Sequence, residues 1–578
     1  MSEKMGKCEF VDELNKLRKS SSESIDNIEK FDDFKAYMHI SRPVEVDLKV
    51  ILKKINESGK KTLVLLCGSA GDGKSHLLSY LKNLDEERLL DGYCVYNDAT
   101  ESSAPFKTAI ETLNDVLNGF SDANINLPGQ NIIMAINLGV LSNFIESEYG
   151  KQYAMLREYA MKSNILTSQI NENIYDATSS FQHVSFSDYH MYYLTENGVD
   201  PQFISDILSK IFTNNEKNPF YECYQSKCDQ CPMALNCPVR HNYAFMSEEA
   251  ARNFVAEILV KTTIKDKEIL TTREILNYIY DIIVAHDFSY KRLADASVNT
   301  EDYLKEYIGG ITPSLMFDYG DLSNLMNFLR EYDPLLVRTE IADTMAIFYY
   351  VSSDISESIK EAIGGSAYSS VLCTKESLNK LNYNRALKAQ MFNILVRISK
   401  IMNAENSDKV YESFLKDLYY YNSGKKGKLQ SIYDMVEKGV VQWCGSEADS
   451  NIRLSESRGF ELYENVKFEA FLENVPSSNG DNSLQRFTPI IMLCFEDVKT
   501  KEIISLDIDY SLYELISRLN DGYVQTAEDR NNHADFISFV SKVLKTGSAS
   551  ENIMIVSENG KRAILDKTKF GYKFKVVR

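Results

Sequence analysis

The chain has 578 residues, 44% apolar and 25% charged, with a formal net charge of −19. That length is too great for one hydrophobic core and implies about three to four domains, and the composition excludes disorder over most of the chain. The negative charge opposes non-specific attraction to a polyphosphate, so a free-standing nucleic-acid binder is excluded unless a local basic patch or a partner supplies the contact.

The N-terminus, "MSEKMGKCEF", has no apolar leader, and no uninterrupted apolar run reaches about 18 residues. A cytoplasmic protein that neither spans a membrane nor is secreted is expected. Val11, Leu14 and Leu17 predict a short amphipathic helix, followed by a "SSSES" linker and the approach segment "PVEVDLKVILKKI". "KTLVLLC", Lys61 to Cys67, is short, leucine-rich and ends at a glycine, as a buried parallel strand does. After Ser75, Leu77, Leu78, Leu81 and Leu84 recur at helical spacing.

Between them lies "GSAGDGKS", comprising Gly68, Ser69, Ala70, Gly71, Asp72, Gly73, Lys74 and Ser75. Strand, glycine turn and helix form the setting that the G-x4-G-K-[ST] pattern requires. Its glycines free successive N–H groups to face phosphate oxygens at a helix N-terminus, Lys74 meets the β- and γ-phosphates, and the Ser75 hydroxyl joins a Mg²⁺ shell. The expectation is a P-loop nucleotide site for ATP and Mg²⁺ in an α/β core built on a parallel sheet.

Turnover needs a carboxylate that holds Mg²⁺ and aims water. The next strand-like run, "GYCVYNDATE", ends near Asp98 and Glu101, which are the expected catalytic acids beside Lys74; Asp98 serves equally well as a helix cap before "SSAPFKTAIETL". "NIIMAINLGVL" ends on Asn137, expected to sense the γ-phosphate, and "HVSFSDYH" offers Asp188 as a third acid.

"CYQSKCDQCPMALNC" sets Cys223, Cys228, Cys231 and Cys237 at C-x4-C-x2-C-x5-C. Four soft ligands this close can form a tetrahedral, structural site; zinc is the expected metal, with an iron–sulfur cluster as the alternative. Arg240 and His241 follow as a small basic pair. From about Ala250 to Tyr421 helical periodicity dominates and predicts a lid followed by a helical middle. Early in the lid, Arg273 is either a phosphate sensor or a solvated helix-face residue, and Arg338 is a candidate finger reaching another subunit.

After about Gly459 the pattern turns to strands and helices together: "TPIIMLCFE" and "IISLDIDY" as strands, "ADFISFVSKVLKTG" as a helix, and "IMIVSENGKRAIL" as a hairpin turning at Asn559 and Gly560. Asp507 and Asp509, with His533 the nearest histidine along the chain, do not make a nuclease centre, because Asp509 precedes "YSLYELISRL" as a helix cap would. The last run alternates Phe570, Tyr572, Phe574 and Val576 with Lys569, Lys573 and Lys575, predicting one buried aromatic face and one basic face. Seven basic residues against one acid, Asp566, lie between Lys561 and Arg578, either a solvated strand face or a patch for phosphates or an acidic partner. The expected division is an N-terminal helical segment (1–45), the P-loop core (46–215), the cysteine insertion (216–245), the lid (246–350), the helical middle (351–458) and a C-terminal α+β domain (459–578).

"HISRPVEVDL", "LCGSAGDGKSHLLSYL", "YNDATES", "INLGVLSNFI", "CDQCPMALNCPVRHN", "DPLLVRTEIAD", "LYELISRLNDGY" and "FGYKFKVV", in that order along nearly the whole chain, resemble the DptF family of DNA phosphorothioation-dependent restriction proteins. The resemblance implies a bacterial defence component that works with DptG-like and DptH-like proteins against DNA lacking the sulfur-modified backbone. It places the family's nucleotide loop on Gly68 to Ser75, its "NDATES" motif on Asn97 to Ser102 and its cysteine knot on the four cysteines named. The expected function is an ATP-binding and ATP-hydrolysing subunit that meets DNA directly or through partners, with a homo-oligomer as one expected form; the alternative is a nucleotide-gated scaffold or signalling NTPase that hydrolyses little and has no direct DNA role.

Overall fold

A computed structural model describes residues 7–23, 32–97, 108–166, 173–295, 300–403, 408–445, 451–457, 459–465, 468–477, 481–497, 501–547, 552–568 and 570–577. The chain forms two compact units, the first from Met1–Tyr192 with Pro201–Glu405, the second from Tyr193–Asp200 with Asn406–Arg578. The division falls inside the stretch predicted as a helical middle.

The first unit is built on four parallel strands, β1 (Leu63–Cys67), β2 (Tyr93–Tyr96), β3 (Asn131–Ile136) and β4 (Phe181–Ser185), in the order β2-β3-β1-β4. Strand β1 is buried at every residue because both its faces are covered, as its unbroken apolar run predicts. Side chains alternate across a strand, so Leu63, Leu65 and Cys67 join Ile132, Met134 and Phe144 on one side. Val64 and Leu66 join Leu48, Ile51, Leu78 and Val184 on the other.

That second face is covered by the helices Pro43–Ser58 and Lys74–Asn83. The first of these opens with Pro43, whose missing N–H costs nothing there, and stops at Gly59, where φ is +60°. The helix Ala109–Leu117 is capped by Thr108 in a reciprocal box with Glu111. The cap expected of Asp98 is therefore supplied by Thr108, and both Asp98 and Glu101 lie outside the described residues. From Gln202 to Met402 the described elements of this unit are helical. At its heart, Arg397 is buried and forks onto Asp333 and Asp318, with contacts of 2.6–3.1 Å.

The second unit begins with the hairpin β5 (Tyr193–Thr195) and β6 (Gly198–Asp200). It continues with β7 (Asn451–Ser457), β8 (Phe460–Asn465), β9 (Phe468–Phe471), β10 (Ser483–Leu484), β11 (Ile491–Asp497), β12 (Ile503–Ile508), β13 (Asn552–Ser557), β14 (Arg562–Thr568) and β15 (Gly571–Val577). These strands form antiparallel sheets ordered β10-β5-β6, β12-β11-β9 and β15-β14-β13-β8-β7. The predicted β13–β14 hairpin is present, and Asp509 caps its helix by accepting from the Leu512 N–H at 2.8 Å.

The C-terminal strand corrects the sequence reading. Phe570, Tyr572, Phe574 and Val576 are 60–100% exposed, so the aromatic face predicted to be buried is open. Strand β15 is the edge of its sheet, and alternation alone does not supply the layer that would cover it.

Candidate functional site

At the carboxyl ends of β1, β3 and β4 the Gly68–Ser75 loop turns the chain from β1 into the helix Lys74–Asn83. Two turns in it need glycine: φ is +90° at Gly71 and +98° at Gly73, which directly precedes the helix. Gly71 is also closely approached, since a Cβ there would lie 3.2 Å from both Arg273 Cβ and Thr271 Oγ1. Lys74 is buried and its ammonium donates to the Ser69 carbonyl. The Ser75 hydroxyl reaches the Asn97 carbonyl at 3.5 Å. Inside the loop the Asp72 carboxylate accepts from the Ser69 N–H. Burial raises the pKa of that carboxyl, and Lys74, the Ser69 amide and Arg42 partly offset the rise.

A cleft opens over this loop, and Asn137, at the end of β3, and Arg273, in the helix Thr272–Asp281, both face it. Thr271 and Glu274 fix the start of that helix by a capping box, which holds Arg273 in its first turn. Arg273 is half-buried, and among the described residues its Nε is buried without a hydrogen-bond partner. Among the described residues, Lys35, Arg42, Lys74 and Arg273 line the cleft together with the acids Glu45 and Asp72. The apolar side chains of Met38, Phe203, Ile207 and Leu276 also line it.

Sequence reasoning missed Arg42, which is buried and donates to the carbonyls of Asp72 and Tyr189 at 3.3 and 3.4 Å. It therefore ties the loop at Asp72 to the segment after β4 at Tyr189. It also missed His39, stacked on Tyr80 at 3.6 Å between centroids, 3.2 Å from His76 and 3.3 Å from Glu45. Burial pushes the Glu45 carboxyl up, but His39 and Lys49 outweigh it and hold the group at about 2. The only sequence signal for Arg42 was its place before a helix-opening proline.

Asp188 follows β4, which lies directly beside β1, and it is close enough to Cys67 to influence that thiol. Arg338 is exposed and paired with Asp343 at 2.9 Å. Arg240 pairs with Asp229 at 2.9 Å, and His241 is buried between Tyr307 and Ser370, so neither stands as part of a basic surface.

Cys228 and Cys237 are buried, Cys223 and Cys231 half-buried. Among the described residues no group of three or more His, Cys, Asp or Glu side chains is placed to hold a metal ion. The C-x2-C pair does form a tight turn, the Cys231 N–H donating to the Cys228 carbonyl at 3.1 Å. The Cys223 sulfur lies 3.9 Å from the carbonyl of Glu9, the residue after Cys8. Cys8 lies within electrostatic reach of Cys223, Cys228, Cys231 and Cys237. Burial raises the Cys237 thiol to about 12, with Cys8 and Cys231 adding to the rise.

No protein-family model matches the chain, and no curated protein is significantly similar to it. Among the described residues no helix is long and apolar enough to cross a membrane.

Proposed function

We propose that the chain binds ATP with Mg²⁺ at the Gly68–Ser75 loop and hydrolyses it as the motor or switch subunit of a bacterial DNA phosphorothioation-dependent restriction complex. The observation that carries the nucleotide reading is the loop itself, seated between a buried parallel strand and a helix N-terminus under a cleft that Lys35, Arg42, Lys74 and Arg273 help to line. Loop amides and Lys74 would cradle the β- and γ-phosphates, and Ser75 would bind Mg²⁺. Arg273 would reach the γ-phosphate from the lid, with Asn137 opposite it at the end of β3. The apolar side chains of Met38, Phe203, Ile207 and Leu276 suit a nucleobase. Lid closure on ATP would then alter contacts with DptG-like and DptH-like partners or DNA; this assignment rests on the sequence resemblance.

A specific observation favours the rival reading, a nucleotide-gated scaffold. The strand next to β1 ends in Asn137 where an acid is usual for turnover, leaving Asp98, Glu101 and Asp188 as candidate acids. Nucleotide titration and steady-state phosphate release separate the two. Lys74→Ala removes a charge-assisted contact worth about 1.5–3 kcal/mol, so affinity falls about 10- to 150-fold. Arg273→Ala lowers kcat more than it raises KM. Binding without phosphate release, with and without DNA and partners, selects the scaffold; absence of saturable ATP uptake refutes both.

A further inference from the structure

We propose that a groove in the first unit, lined by the helices Glu340–Val351, Ser356–Ile363 and Arg385–Met402, receives a lysine- or arginine-rich amphipathic helix of a partner protein. The groove shares no lining residue with the cleft over the glycine loop, so the inference does not rest on the nucleotide reading. Its volume is about 1060 Å³. A helix with its side chains is about 10 Å across and rises about 1.5 Å per residue, so two turns displace on the order of 800 Å³ and fit.

The floor is apolar because helical periodicity brings apolar side chains to one face of each wall. Phe392, Leu395 and Met402 recur at helical spacing on Arg385–Met402, and Met345 and Phe348 do so on Glu340–Val351. Tyr349 ties these two helices together: its hydroxyl donates to the Lys388 carbonyl at 2.8 Å, and its ring centroid lies 5.4 Å from that of Phe392. Tyr349, Leu395 and Ile398 are buried, so the floor is fixed. Phe348, by contrast, is 68% exposed, and Val351 on the same helix is 80% exposed. Large apolar side chains left open beside an apolar groove mark an interaction surface.

Charge selects the occupant. Glu248, Asp354, Glu357 and Glu361 line the groove, and among the described residues no lysine, arginine or histidine does. Glu357 and Glu361 stand one turn apart on Ser356–Ile363, both exposed, and among the described residues neither is held in an ion pair. Hydrogen bonds from Ser356 and Asn382 hold the Asp354 carboxyl at about 2, so it stays ionised. The Lys388 ammonium lies over Tyr349 and Tyr350 instead, 5.6 and 5.9 Å from their centroids. An apolar floor with an acidic rim complements a helix that carries leucine or phenylalanine on one face and cations beside it, and repels an acidic one. A second copy docking through the same face would set acid against acid.

The test uses the full chain and a fluorescent synthetic helix of about 14 residues, with leucine at i, i+3, i+4 and i+7 and lysine elsewhere, read by fluorescence anisotropy. Saturable binding is expected. Affinity should fall about tenfold in the double variant Glu357→Lys, Glu361→Lys, and about tenfold in Phe348→Ala, where the exposed ring can be removed without opening the core. A matching helix with glutamate in place of lysine should bind the double variant more tightly than wild type, which a misfolded chain would not do. Equal binding of a scrambled peptide of the same composition would overturn the proposal, as would absence of saturable binding or indifference to all three substitutions. Self-association of the chain that Phe348→Ala abolishes, without peptide binding, would assign the groove to a second copy and overturn the partner. None of these outcomes bears on ATP binding.

Discussion

Placing a methyl group on Gly71 probes whether the lid helix rests on the loop. A non-glycine residue at φ +90° costs about 1–3 kcal/mol of backbone strain, and Gly73, at +98°, would incur the same. The two differ in their surroundings: a Cβ on Gly73 meets nothing within 4 Å, whereas one on Gly71 lies 3.2 Å from Arg273 Cβ and Thr271 Oγ1 and 3.3 Å from Thr271 Cβ. Backbone-anchored neighbours yield little, so overpacking adds about 1–3 kcal/mol at Gly71 only. Gly71→Ala is thus expected to lose about 2–6 kcal/mol and Gly73→Ala about 1–3 kcal/mol. Urea unfolding of the two variants beside wild type, followed by titration with a fluorescent ATP analogue, reads the difference. Equal loss of stability in the two would show that Thr271 and Arg273 do not press on the loop.

Two further outcomes follow from buried charge in the first unit. Arg397→Met leaves Asp333 buried without its cation, a loss of about 3–5 kcal/mol by chemical denaturation, and Arg397→Lys rescues little because an ammonium cannot fork onto two carboxylates; a loss below about 1 kcal/mol would refute the role given to the triad. Burial holds His183 at about 4, and burial with Arg240 beside it holds His241 at about 4. Both therefore stay neutral in the native state while the unfolded chain takes up protons below about pH 6.5. Stability is expected to fall as the pH drops from 6.5 towards 4, each histidine contributing up to about 1.4 kcal/mol per pH unit, and denaturant midpoints of His183→Gln should show the shallower slope. An unchanged slope would remove His183 from the account.

What could be read from the sequence was local. β1, the glycine loop and the following helix are contiguous, and their pattern carries the strand burial and the turn glycines directly. The Asp509 cap and the β13–β14 hairpin were legible for the same reason. Thr108 was missed although T-x-x-E is written at 108–111, because an aspartate nearer the preceding strand competed for the same role. Arg42 and Cys8 were out of reach. Arg42 acts on Asp72 and Tyr189, 30 and 147 positions away, and such pairings arise from packing rather than from periodicity. The exposed aromatics of β15 show the converse limit, since alternation defines a face without stating what covers it.

The hairpin β5–β6 has a consequence for how this polypeptide can be divided. It is threaded out from between two stretches of the first unit and supplies β10's only strand partner among the described residues. No single scission can liberate the C-terminal portion intact: a fragment starting at residue 406 would lack two strands of one of its sheets. Shuffling these halves like beads on a string is therefore ruled out, and a limited digest should leave them covalently joined until three bonds have been cut, one on either side of residues 193–200 and one near residue 405.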